Sequence, residues 1–117
     1  MAVTHTFSGL AVADYAAAYG WYVRLLGREA DMLPHETECV WRLTPTSSMF
    51  VVQDTARAGS GMVTLALDDL DAQEQRLRDA GFTFTAEAGG PGPRRLAVRD
   101  PDGNRLTFFA DPAPPSG

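Results

Sequence analysis

The chain has 117 residues, of which 44% are hydrophobic and 21% charged, and its formal net charge is −5. This length fits one domain, or two small halves that share a core, and the composition is ordinary for a soluble globular protein. No apolar run approaches the roughly 20 residues that a membrane-spanning helix needs. An acidic chain without a basic stripe also argues against nucleic-acid binding, because few cations could replace the counterions of phosphates.

The N-terminus and the cysteine content predict a cytoplasmic protein. Residues 1–5 offer neither the basic n-region nor the apolar h-region of a signal peptide. Cys39 is the one cysteine, which excludes an intrachain disulfide and a cysteine metal cluster. From the charge and the short apolar runs, we expect no membrane partner and no nucleic-acid partner.

The first half of the chain predicts a strand, a helix and three further strands. Residues 6–13 alternate as a strand does, and Asp14 is a suitable N-cap for the Ala-rich run that follows. Gly27 is the expected C-terminal cap of that helix. Strand-like segments follow at residues 29–33, 38–43 and 49–53.

The second half repeats this order. Residues 62–67 predict a strand, and Asp69 caps a helix that Gly81 stops. Asp69 follows Asp14 by 55 positions, so the repeat is close to regular. Further strand-like segments lie at residues 82–87, 95–99 and 105–109. The chain is thus predicted as βαβββ twice.

The same pattern predicts how the chain is organised. We expect a single domain over residues 1–117, with module one at about 5–54 and module two at about 62–111. Gly and Ser favour a flexible linker at about 55–61. A Gly- and Pro-rich loop at 89–93 and a Pro-rich tail at 112–117 complete the chain.

The second hairpin carries the most specific motif, a tight turn that reads Arg99-Asp100-Pro101-Asp102-Gly103-Asn104-Arg105. With the duplicated βαβββ order and a helix ending in Leu-Leu-Gly, it resembles the vicinal oxygen chelate superfamily over about residues 6–111. That superfamily includes glyoxalase I, extradiol dioxygenases, fosfomycin-modifying enzymes and bleomycin-binding proteins. The resemblance implies an α+β fold of two tandem βαβββ modules, whose curled mixed sheets form a cleft with helices outside, and a homodimer.

Enzymes of that superfamily hold a metal in the cleft, usually through a His in the first strand of each module and a Glu in the last strand. The resemblance places these positions at Phe7, Met62 and Thr107, and a fourth ligand of some members at Phe50 or Val51. Phenylalanine has no donor atom, a thioether is a soft ligand, and a lone hydroxyl is a weak one. We therefore predict the fold without a metal and without another cofactor.

Strand alternation then predicts which side chains face the cleft. Most are apolar or aromatic, and a few polar groups could orient a ligand, which is the usual composition of a small-molecule pocket. The predicted ligand-binding residues are Phe7, Trp41, Met62, Thr64, Arg95, Thr107 and Phe109. The alternative is that these side chains fill a core left by the lost metal, with Arg95 a solvated strand residue.

The sequence favours a metal-free protein, resembling the bleomycin-resistance branch, that binds or sequesters an aromatic or hydrophobic small molecule. It leaves open a metal-dependent lyase, isomerase or dioxygenase, which would need a Lewis acid. It also leaves open a metal-free acid–base enzyme that uses Glu38, His5 or Arg95. No catalytic residue is predicted, since His5 and His35 are interpreted as partly exposed side chains and Cys39 as a packed thiol.

Overall fold

The computed structural model describes residues 1–87 and 94–111. It confirms the βαβββ order in both halves of the chain. The elements are β1 (Thr6–Val12), α1 (Tyr15–Leu26), β2 (Met32–His35), β3 (Glu38–Thr44), β4 (Ser47–Gln53), β5 (Met62–Leu67), α2 (Leu70–Asp79), β6 (Thr85–Glu87), β7 (Arg95–Arg99) and β8 (Arg105–Ala110). The loop expected at 89–93 and the tail expected at 112–117 lie outside the described residues.

Each half forms a four-stranded mixed sheet, with strand orders β1-β4-β3-β2 and β5-β8-β7-β6. The first strand of each sheet pairs in parallel with the last strand of its half, and the other pairings are antiparallel. The chain divides into two compact units. Unit 1 comprises Met1–Gly61 and the turn Asp100–Asn104, and unit 2 takes in the other described residues. The fold is thus α+β with tandem βαβββ modules.

Both helices begin and end as the sequence predicts. The carboxylate of Asp14 accepts a hydrogen bond from the Ala17 N–H at 3.2 Å, and Asp69 caps α2 in the same way. Gly27 ends α1 with a left-handed φ of 78°, and Gly81 follows α2 with a φ of 77°, a conformation that glycine adopts without strain. In the part of the chain that the structure describes, neither helix is long and apolar enough to cross a membrane.

Two strands begin later than predicted. The segment expected at 29–33 is a strand at Met32–His35, and the one expected at 82–87 is a strand at Thr85–Glu87. Before β2, Asp31 uses its carboxylate to accept hydrogen bonds from the Arg28 guanidinium and the Arg42 backbone N–H. Local side-chain bonds of this kind compete with a regular ladder and delay the strand.

Trp41 lies on the opposite face of β3 from the one that strand alternation predicts. Its side chain is fully buried, and its ring centroid is 5.9 Å from that of Tyr19 on α1. Its Nε1 donates a hydrogen bond to the Arg28 carbonyl at 3.0 Å. Val40 instead shares a face with its paired residue Phe50. Trp41 is therefore a core residue, and its predicted place in the cleft is wrong.

The reason is a one-residue slip in matching the two hairpins. In β3 and β4 the register shifts between Arg42 and Thr44, next to the turn. If the two hairpins are matched through their turn prolines, Pro45 and Pro101, the first hairpin is therefore displaced by one residue. Because side chains alternate with a period of two, such a slip moves each of them to the other face. The apolar run around Trp41 gives no alternation that could reveal the error.

The turn Asp100–Asn104 is held by a buried hydrogen-bond network in unit 1. Asp100 Oδ2 accepts from the Tyr22 hydroxyl at 2.7 Å and from Asn104 Nδ2 at 2.8 Å. Asp100 Oδ1 accepts from the backbone N–H groups of Asp102 and Asn104. Burial, followed by the bond to Asp100, raises the pKa of Tyr22, so its hydroxyl stays a donor.

Asn104 extends this network to two other segments of unit 1. Its Nδ2 donates to the Ala11 carbonyl and its Oδ1 accepts from the Gly61 N–H, each at 2.7 Å. Gly59 packs on the same turn with a φ of 92°, and a Cβ at that position would lie 2.3 Å from the Asp102 carbonyl oxygen. The motif that carries the resemblance thus fastens the end of β1 and the segment after β4 to the turn.

Candidate functional site

Each sheet has one face that packs against its helix and one that does not, which we call the open face. In unit 1, Leu10 and Val12 are buried on the helix side while Phe7 is 63% exposed. In unit 2, Leu106 and Phe108 are buried on the helix side, and α2 contacts β8. The open faces carry Phe7, Met62 and Thr107, the positions that the resemblance assigns to metal ligands.

The open face of unit 1 contains a hollow of about 280 Å³. His5 Nε2 lies 2.8 Å from Ser48 Oγ, and the His5 ring centroid is 4.6 Å from that of Phe7. Hydrogen bonds from Arg28 and from the Arg42 backbone hold the pKa of Asp31 below its usual value, so the hollow keeps a carboxylate. Its lining residues are His5, Phe7, Asp31, Met32, Val40, Arg42 and Ser48.

Phe50 lies beside this hollow, because it is paired with Val40, one of the lining residues. It pairs with Gly9 in unit 1, as Thr107 pairs with Thr64 in unit 2. The predicted fourth metal position is therefore Phe50, because Val51 is fully buried on the other face. A Cβ at Gly9 would lie 2.2 Å from Phe50 Cζ, so the aromatic ring lies directly over the glycine.

Gly9→Ala is expected to destabilise the protein by about 1–2 kcal/mol, because the added methyl must displace the Phe50 ring. In a Phe50→Ala background the same change should cost less than about 0.5 kcal/mol, since the obstructing ring is gone. Urea unfolding of the four proteins measures this coupling. An equal cost of Gly9→Ala in both backgrounds would contradict the described contact.

The donor atoms at the superfamily's metal positions do not fit a metal. Phe7 and Phe50 offer none, Met62 offers a thioether, and Thr107 offers a hydroxyl that is largely buried. Among the described residues, no three His, Cys, Asp or Glu side chains lie together so that they could hold a metal ion. No step of metal chemistry can therefore be derived from these side chains.

Five of the seven predicted ligand-binding residues lie on the open face of unit 2. Thr64 pairs with Thr107, Arg95 pairs with Phe109, and Met62 lies at the end of β5 with 75% of its surface exposed. Phe7 lies on the open face of unit 1, and Trp41 lies on neither open face. The interpretation of these side chains as core filling does not describe Phe7 and Met62, which are both largely exposed.

The open face of unit 2 has a hollow of about 390 Å³ that sequence reasoning missed. Arg99 and Arg105 are paired on this face, but in the sequence they stand out only as the residues that flank the turn motif. No sequence pattern pointed to the lining residues in the loop before β6. The lining residues are Thr83, Phe84, Thr85, Glu87, Ala97, Arg99 and Arg105.

Glu38 and Cys39, which the sequence analysis weighed as candidates for chemistry, make local contacts instead. Glu38 Oε1 lies 2.8 Å from His35 Nε2, within hydrogen-bond distance. Cys39 is fully buried, and this burial raises the pKa of its thiol, which disfavours the reactive thiolate. Burial and a hydrogen bond to Cys39 raise the pKa of Tyr15 to about 12. These side chains support structure, as interpreted for Cys39.

Comparison with known proteins agrees with the fold. The sequence model described as Glyoxalase/Bleomycin resistance protein/Dioxygenase superfamily matches residues 2–108. No curated protein matches the chain significantly. A crystal structure of a glyoxalase/bleomycin resistance protein from Catenulispora acidiphila DSM 44928 is 38% identical, covers 92% of this chain and 98% of its own, and has a TM-score of 0.87.

Two further solved structures are similar. TnmS3, an antibiotic binding protein from Streptomyces sp. CB03234, is 25% identical with a TM-score of 0.77, and the match covers 96% of this chain and 99% of TnmS3. A bleomycin resistance determinant encoded on the transposon Tn5 is 19% identical with a TM-score of 0.75, over 92% of this chain and 97% of its own. The chain belongs to the glyoxalase/bleomycin resistance protein/dioxygenase superfamily.

Proposed function

We propose that this protein binds a small aromatic or hydrophobic molecule on its open faces, without a metal. The observation that carries the proposal is the exposure of Phe7 and Met62, at 63% and 75%, where the superfamily's enzymes place metal ligands. Phe7 borders a hollow, and apolar side chains in such a place are typical of a small-molecule site. An apolar side chain in place of a metal-binding histidine offers a contact surface instead of a donor atom.

The polar groups near these side chains are suited to orienting a ligand. In unit 1, the Ser48 hydroxyl and the His5 ring lie beside Phe7. In unit 2, Thr64, Thr107 and Arg95 share the face of Met62 and Phe109. An apolar surface with a few fixed polar groups binds by contact and desolvation, and it requires no bond-breaking chemistry.

The relatives support the binding of a small molecule. One is described as an antibiotic binding protein and another as a bleomycin resistance determinant. We propose that this chain sequesters a natural product of that kind in the cytoplasm and so protects its host. We also propose that it acts as a homodimer, since β2 is a sheet edge on which Leu33 is exposed, and an uncovered edge of this kind favours association.

Replacing both exposed side chains, in Phe7→Ser/Met62→Ser, is expected to weaken binding of a hydrophobic probe by about tenfold or more, because apolar contact area is lost. Two probes are used: neutral N-phenyl-1-naphthylamine, followed by fluorescence, and bleomycin, followed by calorimetry. EDTA treatment is expected to leave the wild-type affinity unchanged.

Val3→Ser is the matched control, because Val3 is 67% exposed and lies outside the strands. It should bind both probes as the wild type does. Failure of the wild type to bind either probe, or an unchanged affinity in the double variant, would count against the proposal. A loss of affinity after EDTA would show that a metal takes part.

A further inference from the structure

Two arginines face each other across the open face of unit 2. Arg99 on β7 and Arg105 on β8 are directly paired residues, and both line the 390 Å³ hollow. Like charges in directly opposed positions of a sheet destabilise it. Arg95 lies on the same face of β7, four residues before Arg99. This concentration of positive charge stands out in a chain whose net charge is −5.

The negative charge on this face is smaller and weakly engaged. Glu87 Oε1 lies 3.6 Å from the Arg105 guanidinium, and the Glu87 side chain is 57% exposed. An ion pair of that length and exposure contributes little. Among the described residues of this sheet face, Glu87 is the one carboxylate beside three arginines. The described residues of this face thus include three arginines and one carboxylate.

The walls of the hollow add an aromatic surface and hydroxyl groups. Phe84 lies at its edge, and the Arg78 guanidinium carbon is 5.1 Å from the Phe84 ring centroid. Arg78 is itself paired with Glu74 at 2.7 Å, which helps to fix the ring. Thr83 and Thr85 supply hydroxyl groups, and the volume is within the range of small-molecule sites.

We propose that this hollow binds the anionic group of an aromatic ligand, a carboxylate, sulfonate or phosphate, between Arg99 and Arg105 with its ring against Phe84. The planar guanidinium groups match the paired oxygens of such anions. The inference rests on the proposed function and narrows it to a ligand class.

Three probes of equal size and different charge test the inference on the full chain. They are 2-naphthoate, neutral 2-naphthylmethanol and cationic 2-naphthylmethylammonium, titrated into ¹⁵N-labelled protein and followed by NMR. We expect 2-naphthoate to bind about tenfold more tightly than the cation. Arg105→Gln should weaken 2-naphthoate about tenfold and leave the neutral probe unchanged, and Arg105→Lys should recover part of the loss.

Arg57→Gln is the control for net charge, because Arg57 is an exposed arginine of unit 1 paired with Asp54. It should change no affinity by more than about twofold, since the Arg57 side chain is highly exposed and does not line the hollow. Equal binding of all three probes, or an equal effect of Arg57→Gln and Arg105→Gln, would overturn the anion site and leave the proposed function standing. No binding of any probe would overturn both.

Discussion

Asp100→Ala is expected to lower the free energy of unfolding by about 3 kcal/mol, which corresponds to a fall in Tm of about 12 °C for a chain of this length. The carboxylate of Asp100 is buried and accepts four hydrogen bonds in unit 1. Removing it leaves the Tyr22 hydroxyl and two backbone N–H groups without their acceptor. Thermal and urea unfolding measure the loss.

Two matched variants separate the network from a general effect of mutation. Tyr22→Phe removes one bond of the network and keeps the ring, so we expect a loss of about 1 kcal/mol. Asp102→Ala removes one half-exposed bond to the Ala13 N–H at 3.2 Å and should cost about the same or less. A cost of Asp100→Ala no larger than that of either control would contradict the role of the turn in fastening the end of β1 and the segment after β4.

Trp41→Ala is expected to destabilise the protein by about 4 kcal/mol, because it empties a fully enclosed site between β3 and α1. Trp41→Phe should cost less, about 2 kcal/mol, since it keeps an aromatic ring but loses the hydrogen bond to the Arg28 carbonyl. Unfolding in urea gives both values.

The same variants distinguish a core tryptophan from a ligand contact. Because Trp41 lies away from the open face, Trp41→Phe should bind N-phenyl-1-naphthylamine as tightly as the wild type at a temperature where it is folded. A tenfold loss of affinity with an unchanged Tm would mean that the indole contacts the ligand, as strand alternation first suggested.

The sequence predicts the elements well where local signals are strong. Asp14 and Asp69 cap their helices through side-chain oxygens, and Gly27 and Gly81 take left-handed conformations, as expected from residue type alone. The strands Met62–Leu67 and Arg95–Arg99 lie as expected. These features depend on a few neighbouring residues, so short windows of sequence contain the information.

The faces of the strands are predicted less evenly. In unit 2, alternation places Met62, Thr64 and Thr107 on one face, and the pairing of β5 with β8 agrees. In unit 1 the register shift beside the turn moves Trp41 to the helix side. Register depends on how two strands meet at a turn, and one bulge there reverses the faces of the side chains that lie beyond it from the turn.

The hollows could not be predicted, because loops complete them. Asp31 closes the unit 1 hollow through bonds to Arg28 and to the Arg42 backbone. Phe84 borders the unit 2 hollow from the segment before β6, where it packs near Arg78. These contacts join residues that no periodicity relates, so three-dimensional placement is needed to find them.

The methionines allow the most direct test of binding on the open faces. Met62 and Met32 are exposed on these faces, Met49 is fully buried, and Met1 is at the exposed N-terminus. In protein labelled with ¹³C at the methionine methyl groups, we expect N-phenyl-1-naphthylamine to shift the signals of Met62 or Met32, or both, and to leave Met49 and Met1 unchanged. Saturable binding that moves Met49 alone, or that leaves both Met62 and Met32 unmoved, would contradict the assignment of the open faces as the binding surface.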